Sequence, residues 1–200
     1  MKRKALTITL AAVMAMGTCA VTASAADGDK YTIGICQLVQ HEALDAATQG
    51  FKDEIVKELG EDAVTFDEQN AQGDSNTCST IINSFVSNNE DLILANATAS
   101  LQAAAAGTSD IPILGTAVTE YGVALDLKDF DGTVGGNISG TSDLAPLDEQ
   151  AAMLQELFPD AKKVGLLYCS AEANSQYQVC LLYTSPSPRD LSTSRMPSSA

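Results

Sequence analysis

"KYTIGICQLV", residues 30–39, runs directly into "QHEALDAATQGFKDEIVKELG", residues 40–60. The first stretch is short, apolar and β-rich. In the second, Leu44, Ala47, Phe51, Ile55 and Leu59 recur every three or four residues, which places them on one face of a helix. Gly60 follows where a helix C-cap glycine belongs. A strand feeding an amphipathic helix is half of a βαβ unit, and the fold depends on whether the unit repeats.

It repeats along the chain. "AVTFDEQN" (63–70) is the next strand, and the turn "AQGDSN" offers Asp74 or Ser75 as cap for a helix carrying Cys78, Ile81, Ile82, Phe85 and Val86. "DLILANA" (91–97) is apolar on both faces, as in a parallel sheet covered on both sides. "SLQAAAAG" (100–107) is a short Ala-rich helix and "IPILGTAV" (111–118) a fourth strand. "GTVGGNISGTSD" (132–143) reads as a glycine-rich crossing segment. Beyond it, "LDEQAAMLQELFPDAK" is a helix, "KKVGLLYCS" a strand, and "AEANSQYQV" the opening of another helix. This alternation specifies an α/β fold built on a doubly wound parallel sheet.

In such sheets ligands sit outside the carboxyl ends of the strands. The loops that matter are therefore "QLVQHE", "EQNAQGD", "NATAS", "GTAVTE" and "YCSAEANS", all rich in small polar residues and amides. Helix N-termini follow most of them and offer N–H groups to an anion such as a carboxylate. Thr98 and Ser100 bracket Ala99 at one such junction, where hydroxyls and backbone donors can grip a carboxylate together. Capping alone would account for one of the two.

The N-terminus follows a different logic. Lys2, Arg3 and Lys4 precede an apolar run from Ala5, which ends at the small residues Ala23–Ala25. This is the layout of a secretory signal peptide, residues 1–25, cut after Ala25. A membrane anchor is the alternative, opposed by the small-residue exit and by Asp27. A lipid anchor on Cys19 is a second alternative, opposed by Thr18 where lipoprotein signals carry Gly, Ala or Ser.

The formal charge of −15 becomes −18 when the three basic residues leave with the signal. So acidic a body repels phosphate backbones and anionic headgroups, and no nucleic-acid partner is expected. Cys36, Cys78 and Cys169 are widely spaced within apolar runs and read as small core residues, not as a disulfide framework or metal site. No GxSxG elbow, phosphate loop or CxxC pair is present, and Gly132, Gly135 and Gly136 do not form a dinucleotide fingerprint. His41 is the single histidine, placed either as a ligand contact at the cleft edge or as a solvated residue at a helix start. Asp67 and Glu68 are neighbours in a strand, so they point to opposite faces and cannot act as one acid–base pair. Neither catalysis nor a cofactor is expected.

The blocks "IGICQLVQHEALDAATQGF", "QNAQGD", "DLILANATAS", "IPILGTAVTE", "GGNISGTSDLAPLDEQ" and "KKVGLLYCSAEANSQ" together resemble the ABC-transporter substrate-binding proteins of the tryptophan/tyrosine-binding type, in unbroken order from about Tyr31 to Val179. The resemblance implies the two-lobe periplasmic-binding-protein architecture. Two doubly wound lobes, joined by a hinge, close over a small ligand and hand it to a membrane permease. It divides this chain into a first lobe, residues 30–143, and the start of a second, residues 144–179. Carried over by position, the family's cleft loops fall on Gln40 and His41, on Gln69 and Asn70, and on Thr98, Ala99 and Ser100. They continue at Thr116 and Ala117, at Ser142 and Asp143, and at Glu172, Asn174 and Ser175. The family often carries Pro where Ala99 stands and Glu where Gln40 stands. Neither difference removes a backbone donor.

The implied function is an extracytoplasmic solute-binding component, periplasmic or at the cell surface, whose ligand is an amino acid or similar small molecule, aromatic in some members. The same resemblance implies that the second lobe continues well past Val179. Residues 180–200, rich in Ser, Pro and Arg and without periodicity, resemble a translated sequencing-adaptor artefact; the alternative is a genuine Ser/Pro-rich disordered tail. Two other functional classes share this fold. An enzyme would need its chemistry at His41 or Asp143. A regulator's ligand-sensing domain would be cytoplasmic, which the N-terminal signal and the lack of a helix-turn-helix oppose.

Overall fold

The computed structural model describes residues 30–184 and 191–196. The expected signal peptide and Cys19 lie outside the described residues. The chain opens with β1 (Tyr31–Gln37), α1 (Glu42–Leu59), β2 (Val64–Asn70), α2 (Ser75–Asn88) and β3 (Leu92–Asn96). It continues with α3 (Thr98–Gly107), β4 (Ile113–Val118), the single-turn α4 (Tyr121–Ala124) and β5 (Ile138–Ser142). These five strands form one sheet in the order β2-β1-β3-β4-β5, every pair parallel. The chain winds outward from β1 to β2, then returns past β1 to β3 and the far edge, so the winding reverses between β1 and β3. That is the topological switch point of a doubly wound sheet.

The reversal puts the helices on opposite faces, and the core accordingly divides in two. On one face Ile33, Ile35 and Leu94 are buried against Phe51 and Ile55 of α1. On the other, Ile81, Ile82 and Phe85 of α2 and Leu101 and Ala104 of α3 close over Cys36, Ile93 and Ile113. Each large side chain so buried contributes about 1.5–3 kcal/mol, which is why the apolar spacing of α1 and α2 decides where they lie. Cys36 and Cys78 are buried free thiols, and Cys169 is half-buried and also free. A hydrogen bond to Cys78 and burial both push the Cys36 thiol up, so it stays protonated and packs as a small core residue.

Helix ends follow the sequence closely. Asp74 caps α2, its Oδ1 accepting from Asn76 N at 2.6 Å and Thr77 N at 2.9 Å. Gly60 closes α1 at φ 92°, its N–H donating to the Val56 carbonyl. Glu68 pairs with Lys52 of α1 at 2.8 Å while the Asp67 carboxylate accepts from Gln69 Nε2, in keeping with their opposite faces.

One element departs from expectation. The glycine-rich segment 132–143 is more than a crossing, because its second half is β5, the edge strand of the main sheet. Gly140 explains how a strand fits there. A Cβ on Gly140 would strike the Gly115 carbonyl and the Tyr121 hydroxyl, so only glycine lets β5 approach β4 beneath that ring. The Tyr121 hydroxyl donates to the Thr141 carbonyl at 3.2 Å, and burial pushes the phenol up to about 12.

Past β5, α5 (Leu147–Leu157), β6 (Val164–Cys169) and α6 (Ala173–Thr184) follow, and β6 pairs in parallel with β7 (Leu191–Met196) in a separate two-stranded sheet. Helix α6 thus runs five residues beyond Val179. Met153, Leu157 and Phe158 at α5, Leu167 of β6 and Tyr183 of α6 are exposed large apolar residues. Among the described residues no helix is long and apolar enough to cross a membrane.

Candidate functional site

The switch point directs attention to the C-terminal ends of β1 and β3 and the loops that leave them. The last paired row of the sheet there is polar throughout. Gln37 lies in register with Asn70 of β2 on one side and Asn96 of β3 on the other, and Asn96 lies in register with Thr116 of β4. Residues in register on parallel strands share a face, so all four side chains stand on the α1 side of the sheet. Asn70 and Thr116 were expected from the sequence as site residues. Gln37 and Asn96 were not, although each is an amide ending an otherwise apolar strand.

Three loops around this row are tied to one another. Leu38 N donates to the Asn96 carbonyl at 3.2 Å, Gly73 N to the Leu38 carbonyl at 2.7 Å, and Ala97 N to the Thr116 carbonyl at 3.0 Å. Several tips are also strained. Gln72, Ala97 and Ala117 adopt positive φ values of 54°, 96° and 52° without being glycine. Ala97, with ψ 162°, sits in a region that glycine alone occupies freely. Backbone held in such conformations concentrates at functional sites, where surrounding structure fixes it.

Ala97 is the N-cap of α3, and it provides no side-chain cap. By contrast, His41 caps α1, Asp74 caps α2 and Glu120 caps α4. The backbone N–H groups of Thr98, Ala99 and Ser100 therefore form the first turn of a helix with no acceptor supplied by the N-cap residue. With the helix dipole behind them they make an anion-receptive point, suited to a carboxylate. The Ser100 side chain differs from expectation. Its hydroxyl is turned into the core, 3.6 Å from both Cys36 Sγ and Cys78 Sγ, and the residue is fully buried, so any part it has in the site is limited to the backbone N–H of the first turn.

The remaining expected residues fall into two groups. Gln40 and His41 lie exposed in the loop between β1 and α1, and His41 Nδ1 accepts from Ala43 N at 3.2 Å. Gln69 Nε2 is engaged by Asp67, and Asn70 Oδ1 accepts from Gln72 N at 2.8 Å, shaping the turn after β2. Ala117 lies at the bulge between β4 and β5. Ser142 Oγ donates to the Thr119 carbonyl at 2.7 Å, and Asp143 N donates to the Val118 carbonyl at 3.0 Å, so both fasten the exit from the first sheet. Glu172, Asn174 and Ser175 stand apart at the tip of β6 and the first turn of α6, where Ser175 Oγ donates to Glu172 at 2.8 Å. Among the described residues no group of three or more His, Cys, Asp and Glu side chains could hold a metal ion.

A parallel sheet of order 2-1-3-4-5, with polar strand tips and an uncapped helix N-terminus at its switch point, is a doubly wound α/β architecture that places a ligand at the carboxyl ends of its strands. Residues 32–195 match the family model described as ABC transporter substrate binding protein, and the chain belongs to that family. Its members are extracytoplasmic binding proteins, not enzymes. The chain is 43% identical over 157 residues to a tyrosine-binding protein of Clostridioides difficile (strain R20291), covering 76% of this chain and 44% of that one. It superposes with a TM-score of 0.78 and 32% identity on an ABC domain in complex with L-Trp from Streptococcus pneumoniae, covering 85% of this chain and 58% of that one. A ligand-free, open substrate-binding protein with adhesive properties from Clostridium difficile follows, with TM-score 0.63, 40% identity, and coverage of 83% and 57%. The chain thus spans about half the length of these relatives.

Proposed function

We propose that this chain is the ligand-capturing part of an ABC importer and takes an amino acid, aromatic by preference, into a cleft between two lobes. The observation that carries the reading is the first turn of α3. Three backbone donors there lie at the switch point, beside the polar row ending at Thr116. A zwitterionic amino acid needs one anion site and a few fixed polar groups, with an apolar wall for its side chain. Gln40, His41, Gln69, Asn70, Thr98, Ala99, Thr116 and Ala117 supply the first-lobe rim in this reading, with Ser100 contributing through its backbone. Ser142 and Asp143 mark the hinge, and Glu172, Asn174 and Ser175 belong to the facing lobe. The names of the tyrosine-binding protein and of the L-Trp complex support the ligand class.

In this reading residues 30–143 are the first lobe and 144–179 open the second, which continues in the whole protein. The exposed apolar residues on α5, β6 and α6 support it, since a finished lobe would cover them. Export through residues 1–25, delivery to a membrane permease, and a periplasmic or surface location complete the proposal.

Equilibrium dialysis of the 200-residue chain against labelled L-tyrosine and L-tryptophan tests it, with L-leucine and L-aspartate as comparisons. The expected result is weak but saturable retention of an aromatic amino acid, displaced by the other one. Equal retention of all four, or of none, would overturn the ligand assignment.

A further inference from the structure

Beneath the cleft rim lies a buried polar cluster that the ligand-binding reading does not use. Gln37, Thr48 and Asn96 are exposed by only 4%, 3% and 0%. Thr48 Oγ1 donates to Gln37 Oε1 at 2.8 Å, and Asn96 Nδ2 donates to Thr48 Oγ1 at 2.9 Å. Gln37 Nε2 donates to the Val39 carbonyl at 3.0 Å and to Asp45 Oδ1 at 2.6 Å, while Asn96 Nδ2 also reaches the Leu44 carbonyl at 2.9 Å. The cluster therefore holds the backbone on both sides of the loop that carries Gln40 and His41, at Val39 before it and at Leu44 after it.

We propose that Gln37, Thr48 and Asn96 are positioning residues: together they lock the loop between β1 and α1 in register with the tip of β3, so that the cleft rim keeps its shape when empty. The face of α1 that Thr48 occupies otherwise buries Phe51 and Ile55, where an apolar residue would pack at no polar expense. The geometry even leaves Asn96 Oδ1 buried and without a partner, because its amide nitrogen is committed to Leu44 and Thr48. Thr48 is the centre of the cluster, because its hydroxyl bridges the two amides at 2.8 and 2.9 Å, whereas their direct bond, from Asn96 Nδ2 to Gln37 Oε1, is long at 3.5 Å.

The binding half of this inference rests on the function proposed above; the loop half does not. Thr48→Val keeps the shape and deletes the hydroxyl, and Thr48→Ser restores the hydroxyl. Hydrogen exchange should show the Leu38, Ala43 and Asp45 amides opening about tenfold faster in Thr48→Val, the factor expected for one lost buried hydrogen bond. Exchange in the centres of β1 and β3 should not change, and Thr48→Ser should return the loop to wild-type protection. Retention of L-tyrosine or L-tryptophan in dialysis should fall with loop protection and recover with it. Unchanged loop exchange, or acceleration spread evenly through β1–β4, would overturn the positioning role. Should the loop respond as stated while wild type retains neither amino acid, the positioning role stands and the ligand assignment falls.

Discussion

Replacing Ala97 by glycine should make the protein more stable. Ala97 stands at φ 96° and ψ 162°, where a residue with a Cβ is held at an expense on the order of 1–3 kcal/mol. Glycine removes that strain. It also returns about 0.5–1 kcal/mol of freedom to the unfolded chain, and loss of the half-buried methyl forfeits a few tenths more, about half of a fully buried CH₂. Central values leave about 1 kcal/mol in favour of Ala97→Gly, or a rise in Tm of about 2–4 °C for a chain of this size. Thermal melts and urea midpoints of both proteins measure it. Ala105→Gly, inside α3 with ordinary helical backbone, is the opposite-sign control and should lose about 0.5–1 kcal/mol. If Ala97→Gly melts at or below wild type, the strain at this tip is not real, and the argument that the fold holds the α3 amino end under tension fails. If it stabilises, retention of aromatic amino acids should weaken in the same variant, because the donors of residues 98–100 lose their fixed direction.

Asp74→Ala removes both bonds to the amino end of α2 and should lower stability by about 1 kcal/mol in urea titration, with Asp74→Asn retaining most of it. Gly34→Ala would bring a Cβ to 2.6 Å from the Phe85 ring, so it should destabilise by about 1–3 kcal/mol, and Phe85→Leu in the same chain should recover part of that. Glu90 tests pH dependence. Burial first, then the nearby Asp67 and Asp91, push its carboxyl up, so the folded state holds this proton more tightly than the unfolded state. Its contribution is present below the ordinary glutamate range and lost as pH rises through the raised value. The stability gap between Glu90→Gln and wild type should accordingly widen in favour of the glutamine from pH 4 to pH 8; a constant gap would contradict the assignment.

The helices that cover large apolar faces were legible because burial imposes a period. Phe51 and Ile55 in α1, and Ile81, Ile82 and Phe85 in α2, mark their inward sides through their spacing alone. Strand β5 was not legible. Its residues 139–142 are exposed, it contains no apolar alternation, and what admits it to the sheet is a glycine fitting under a tyrosine from another element. The side of α3 that Ser100 takes was equally hidden, since an Ala-rich helix carries no face to orient it. Gln37 and Asn96 did leave a signal, an amide terminating each buried strand. Thr48 left only a hydroxyl on an apolar helical face, and its meaning emerges once β1 and β3 are seen to be neighbours.

The most direct measurement is a titration of the isotopically labelled 200-residue chain with L-tyrosine and L-tryptophan, followed by amide chemical shifts. Capture at the switch point predicts saturable shifts concentrated on residues 98–100, with smaller ones at 40–41 and 116–117. Shifts confined to other parts of the sheet, or none up to the solubility of both amino acids, would contradict it.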